Sequence, residues 1–120
     1  DCLYISSKVN IPVVFDTHHY DCYLLLHKNH TLKPACTYIP DILHTWKKRN
    51  IKPKFHVSEQ GSGKIGHHSD YIEILPEYLL EIPEKYKVDI DIMIEAKMKE
   101  LSIQQLYEKY PQCNCKIISS

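Results

Sequence analysis

Three segments rich in Val, Ile or Phe, namely Ile11 to Asp16, Pro53 to Val57 and Val88 to Glu95, are each followed by a loop and then by apolar residues at helical spacing. This recurrence, at roughly 35 to 40 residues, is the rhythm of parallel βαβ units with right-handed crossovers, and it leaves few other folds open. The first crossover places Ile39, Ile42, Leu43 and Trp46 at i, i+3, i+4 and i+7. Pro40 suits a first helical turn, and Lys47-Lys48-Arg49 suits a helix C-terminus. The second crossover opens at Pro76, runs through Leu79, Leu80 and Ile82, and is expected to close at Pro83. After the third strand, Ile103, Leu106, Tyr107 and Tyr110 repeat the stripe up to Pro111, leaving residues 111–120 as an expected flexible tail.

Cys2, Leu3, Ile5 and Val9 read as the last turns of a helix that should follow an earlier strand. With 120 residues, 43% of them apolar, the chain has material for one globular core and not for two. A complete (β/α)₈ barrel takes roughly 250 residues. The expected fold class is therefore α/β: a single domain over 1–120 corresponding to the C-terminal three βα units of a TIM barrel, with parallel strands and crossover helices. A small open α/β domain is the simpler alternative.

Charge does not choose a partner, because fifteen basic and fifteen acidic residues cancel and any phosphate contact must come from a local patch. No apolar run has the length of a membrane span, and Asp1-Cys2-Leu3-Tyr4 is unlike a signal peptide. The chain reads as soluble, intracellular and without a membrane partner. The five cysteines are odd in number and scattered, which reads as reduced thiols, with Cys113-Asn114-Cys115 an incidental pair.

In α/β proteins functional groups gather where strands end, and each of these three strands ends in residues of metal-ligand type. Asp16 and His19 form Asp-x-x-His at the end of the first, with His18 beside them. Lys54 and His56, two apart on the second, face the same side, opposite Phe55. A charged lysine facing inward needs a reason. On the third strand Asp89, Asp91, Met93 and Glu95 alternate with Ile90, Ile92 and Ile94, which puts the carboxylates on one face and Glu95 at the end. Between the second and third strands, "GSGKIGHHSDYIE" reads as a mobile loop that lacks the Walker spacing, with His68 a better ligand candidate than His67. Any one of these histidines is more often structural than metal-bound; their convergence on consecutive strand ends reverses that. Mixed oxygen and nitrogen ligands, with no well-placed thiolate, suit Mn²⁺, Zn²⁺ or Mg²⁺ rather than copper or an iron–sulfur cluster. Such sites serve phosphoester hydrolysis, and they also serve sugar isomerisation.

"IPVVFDTHHY", "TWKKRNIKPKFHVSEQ", "HHSDYIE" and "DIDIMIEAKMKE", in this order, resemble successive signatures in the C-terminal part of the UV damage endonucleases. The resemblance implies a metal-dependent barrel that nicks DNA on the 5′ side of UV photoproducts, leaving a 3′-hydroxyl and a 5′-phosphate. It implies Asp16, His19, His56, His68 and Glu95 as metal ligands, and Lys54 as a catalytic lysine beside the metals that can be carboxylated. It implies UV-damaged double-stranded DNA as substrate of the complete enzyme. The N-terminal strands of the family are absent from this sequence, so the expected partner is the missing half-barrel or a second copy, and the chain alone is expected to be inactive. The alternative is a non-catalytic metal-binding half-barrel that acts as an assembly module.

Overall fold

A computed structural model of the chain describes residues 1–27 and 33–119. Helix α1 (Cys2–Val9) leads through an extended segment to strand β1 (Phe15–Asp16), which runs directly into α2 (Thr17–Leu26). A 3₁₀ turn (Ala35–Tyr38) precedes α3 (Ile39–Lys47), then β2 (Lys54–Val57). Two short helices, α4 (Glu77–Leu80) and α5 (Ile82–Tyr86), precede β3 (Asp91–Ile94), which is followed by α6 (Lys99–Lys109) and β4 (Lys116–Ser119). The strands form one parallel sheet in the order β1-β2-β3-β4. This is the expected α/β architecture, an arc of barrel wall rather than a closed barrel.

Register sorts the side chains into rows. Phe15, Phe55, Ile92 and Ile117 are matched across the four strands, and all four are buried beneath the helices. Burying each such side chain contributes about 1.5–3 kcal/mol. Because side chains alternate along a strand, the next row, Asp16, His56, Met93 and Ile118, falls on the opposite face. The chemistry-bearing residues thus lie on the side of the sheet that the helices leave open.

Helix α3 forms as its stripe predicts: Ile39, Ile42, Leu43 and Trp46 are buried, Pro40 sits in the first turn and Lys47 in the last. It also explains why β1 has two residues where the sequence predicts six. The indole of Trp46 donates to the Val13 carbonyl at 2.7 Å, and the Val13 N–H donates to Oγ1 of Thr45 at 3.0 Å. Pro12 has no N–H to offer, so this stretch is fastened to α3 and not to β2.

Two expectations are corrected. Pro83 does not close the second crossover, since it occupies the first turn of α5, where its missing N–H is no loss. Residues 111–120 are not simply a tail: Lys116–Ser119 pairs along β3 and Ile117 is 4% exposed. Two isoleucines, Ile117 and Ile118, between Lys116 and Ser119 are too short a run to separate strand from tail by pattern. Among the described residues, no helix is long and apolar enough to cross a membrane.

Candidate metal centre

Asp16 is the last residue of β1 and the N-cap of α2. Its Oδ1 accepts from the His19 N–H at 2.9 Å, the usual task of an aspartate at a helix start. The same geometry explains why α2, which has no apolar stripe, begins there. His56 is matched to Asp16 across the sheet, and Glu95 follows β3, held by its N–H to the Val57 carbonyl at 2.9 Å. Donor atoms of Asp16, His56 and Glu95 all lie within 4.8 Å of one another. His56 Nδ1 is 2.9 Å from Glu95 Oε1.

The two remaining candidate ligands flank this triad. His68 Nε2 is 3.4 Å from Glu95 Oε2, and His19 Nδ1 is 3.3 Å from Asp16 Oδ2, with the His19 side chain 73% exposed. His67 is exposed and turned toward Gly63, so of the two adjacent histidines it is His68 that stands beside Glu95. A carboxylate–imidazole–carboxylate triad with two further imidazoles suits a hard-to-borderline divalent cation. The donor set fits the metal that the motifs imply.

Lys54 does not join the triad. It is two residues before His56, one layer deeper along the sheet, and its Nζ is 3.1 Å from Oδ2 of Asp91. Lys52 Nζ reaches the other oxygen of Asp91 at 2.7 Å. Burial works against the charge on Asp91, yet the hydrogen bonds and charges of Lys52 and Lys54 prevail and hold its pKa below the ordinary value. In return the hydrogen bond to Asp91 raises the pKa of Lys52. The inward-facing lysine therefore has its reason in a neighbouring carboxylate. Strand alternation already placed Lys54 and Asp91 on one face; the register that joins them is a property of the sheet and not of either segment.

His18 is a different kind of residue from its neighbour. It is buried, with Nδ1 3.1 Å from Ser58 Oγ and Nε2 3.2 Å from Gln60 Oε1. Ser58 and Gln60 were not singled out by sequence, and nothing in their spacing marks them. A concavity of about 800 Å³ at the opposite, N-terminal ends of β2 and β3, lined by Leu43, Lys47, Pro53 and Val88 among others, contains none of the candidate ligands.

Acidic and imidazole side chains collected where parallel strands end define a barrel-type α/β protein with a candidate metal-binding triad. Comparison with known proteins narrows the class. The model of the family UV-endonuclease UvdE matches residues 1–118, and the chain belongs to this family. It is 37% identical over 113 residues to a UV DNA damage endonuclease of Bacillus cereus (strain B4264), covering 91% of this chain and 33% of that protein. A homologue from Acanthamoeba polyphaga mimivirus is 37% identical over 111 residues, 92% of this chain and 32% of its own length. The crystal structure of SacUVDE superimposes with a TM-score of 0.64 at 30% identity, over 95% of this chain and 36% of that one. The chain thus spans about a third of the length of the relatives it matches.

Proposed function

We propose that this chain supplies one part of the cation centre of a DNA repair endonuclease that nicks the strand 5′ to UV photoproducts. The observation that carries this reading is the meeting of Asp16, His56 and Glu95 donor atoms within 4.8 Å at the ends of three consecutive strands. Asp16, His56 and Glu95 hold divalent metal, Mn²⁺ by preference and Zn²⁺ or Mg²⁺ otherwise, with His19 and His68 completing its surroundings. A bound cation supplies an electrophilic contact for phosphate oxygens and acidifies water. Water adds to phosphorus and the bond to the 3′ oxygen breaks; that oxygen takes a proton, giving a 3′-hydroxyl and a 5′-phosphate. Lys54 assists from one layer deeper, where its pairing with Asp91 fixes an ammonium behind His56.

A second reading is favoured by one observation. The polar face of the sheet is open, so this stretch of wall by itself binds metal without cleaving DNA. Its partner is then the N-terminal half-barrel or another copy. Incision of UV-irradiated duplex separates the readings, assayed for the chain alone and fused behind the N-terminal portion of the Bacillus cereus relative. Metal-dependent nicks with 3′-hydroxyl ends from the fusion, abolished by Asp16→Ala, are expected. Nicking that ignores chelators or survives Asp16→Ala overturns the assignment.

A further inference from the structure

Gln60 lies three residues beyond β2, and its amide has no spare valence. Nε2 donates to the carbonyls of Gly61 at 3.0 Å and Lys64 at 2.8 Å, while Oε1 accepts from the Gly66 N–H at 2.9 Å. The remaining neighbour of Oε1 is Nε2 of His18. An amide oxygen can only accept, so this ring nitrogen carries the proton, and Nδ1 is left to accept from the hydroxyl of Ser58. Both nitrogens are used and the ring is buried. His18 therefore has no lone pair for a cation, although it stands beside His19 and two residues from Asp16.

The segment these bonds secure is the one the sequence reads as a mobile loop. Its base is closed by Gly61 N–H to the His67 carbonyl at 2.6 Å, Ser69 N–H to the Glu59 carbonyl at 2.9 Å, and a bridge between Gln60 and His68. The crossing is so close that a Cβ on Gly61 would collide with the His68 carbonyl, which leaves glycine as the residue that fits. Gln60 fastens the interior of the loop, and His18 fastens Gln60 to the start of α2. The His18 and His68 rings are 5.9 Å apart, centroid to centroid.

We propose that His18 and Gln60 are positioning residues: as a strut between α2 and the 60–68 loop, they hold the His68 ring against Glu95. The proposal rests on the reading of His68 as part of the metal centre, and the readouts below keep the two apart. Groups that orient a metal ligand without touching the metal typically contribute about 10- to 100-fold in affinity.

The test uses the 120-residue chain with His18→Ala, His18→Gln and Gln60→Ala. Amide hydrogen exchange is followed at Gly61 and Gly66, with Asp91 and Glu95, whose N–H groups tie β3 to β2, reporting that the sheet is intact. Ring ¹⁵N signals of His56 and His68 are recorded without metal and through a Zn²⁺ titration. His18→Ala is expected to accelerate exchange at both glycines, shift the His68 ring signals and weaken zinc about 10-fold. His18→Gln, which restores an N–H near the Nε2 position, is expected to recover all three. Unchanged loop exchange overturns the proposal, and so does a loosened loop with an unmoved His68 ring. If His18→Ala also loosens the sheet, the same comparison is made with Gln60→Ala, whose side chain lies at the surface. A wild-type chain that takes up no zinc removes the metal reading, and the strut is then decided by the glycine amides and the metal-free His68 signals.

Discussion

His56 Nδ1, on β2, and Glu95 Oε1, just past the end of the neighbouring parallel strand β3, stand 2.9 Å apart, while the residues before them, Phe55 and Ile94, are buried on the other side of the same sheet. One register therefore sets both the core and the site. Neither residue can be displaced along its strand without exchanging a hydrophobic contact for a polar one.

Metal uptake is the most direct expectation. Asp16→Ala combined with Glu95→Ala removes both carboxylates of the triad and should abolish stoichiometric Mn²⁺ or Zn²⁺ binding; each single change should weaken it by ~10-fold or more. Elemental analysis after gel filtration checks this. Retention of full metal content by the double variant would sink the site.

Asp91 gives a pH signature. Its folded-state pKa is depressed by Lys52 and Lys54, so its stabilising effect is complete above the ordinary carboxylate value of 3.8 and is lost as pH falls through the lower folded value. Both lysines are partly exposed, so the loss in Asp91→Asn should be only about 1 kcal/mol. Urea melts should show that deficit between neutral pH and about pH 5, narrowing below pH 4. A deficit that grows on acidification contradicts the assignment.

Lys54→Arg keeps a cation beside Asp91 but replaces a compact ammonium with a planar fork. The variant should remain within about 0.5 kcal/mol of the parent in stability and should lose incision in the fused protein. Normal incision by Lys54→Arg would reduce Lys54 to an ion-pair partner.

Phe55 is fully buried at the centre of the apolar row. Phe55→Ala should cost about 3–5 kcal/mol, a large part of the 5–15 kcal/mol typical of a domain. The shift in denaturation midpoint measures it, and a change near 1 kcal/mol would mean that this row is not the core.

Thiol labelling tests the docking of β4. Burial, followed by the neighbouring Cys113, pushes the Cys115 thiol up to about 12, and thiols react as thiolates. Exposed Cys2 and Cys36 should take iodoacetamide at pH 8 while Cys115 stays unmodified until denaturant is added. Labelling of Cys115 at the rate of Cys36 would mean that β4 is undocked.

What the sequence made legible follows the range of each signal. The stripe of Ile39, Ile42, Leu43 and Trp46 is local and strong, and α3 appears where it falls. Asp16, His56 and Glu95 were legible as strand-end residues because alternation and topology bring such ends together. Helix α2 was hidden because its leucines, Leu24, Leu25 and Leu26, are contiguous and define no face. The pairing of Lys54 with Asp91, and of His18 with Ser58 and Gln60, depends on how separate segments meet, and no pattern within either segment records that.

The order β1-β2-β3-β4 repeats the order of the chain, which has a consequence for synthesis. Each strand leaving a ribosome meets an edge that has just been made, and nothing must thread back past an earlier element. Growth can proceed vectorially, at the ordinary pace of domains that assemble during translation. Asp16 and His56 come together when the second strand docks, and Glu95 arrives only with the third. The Asp16–His56–Glu95 cluster is therefore complete once β3 docks, before α6 and β4 are added, so its donor atoms are gathered while this stretch of wall is still growing.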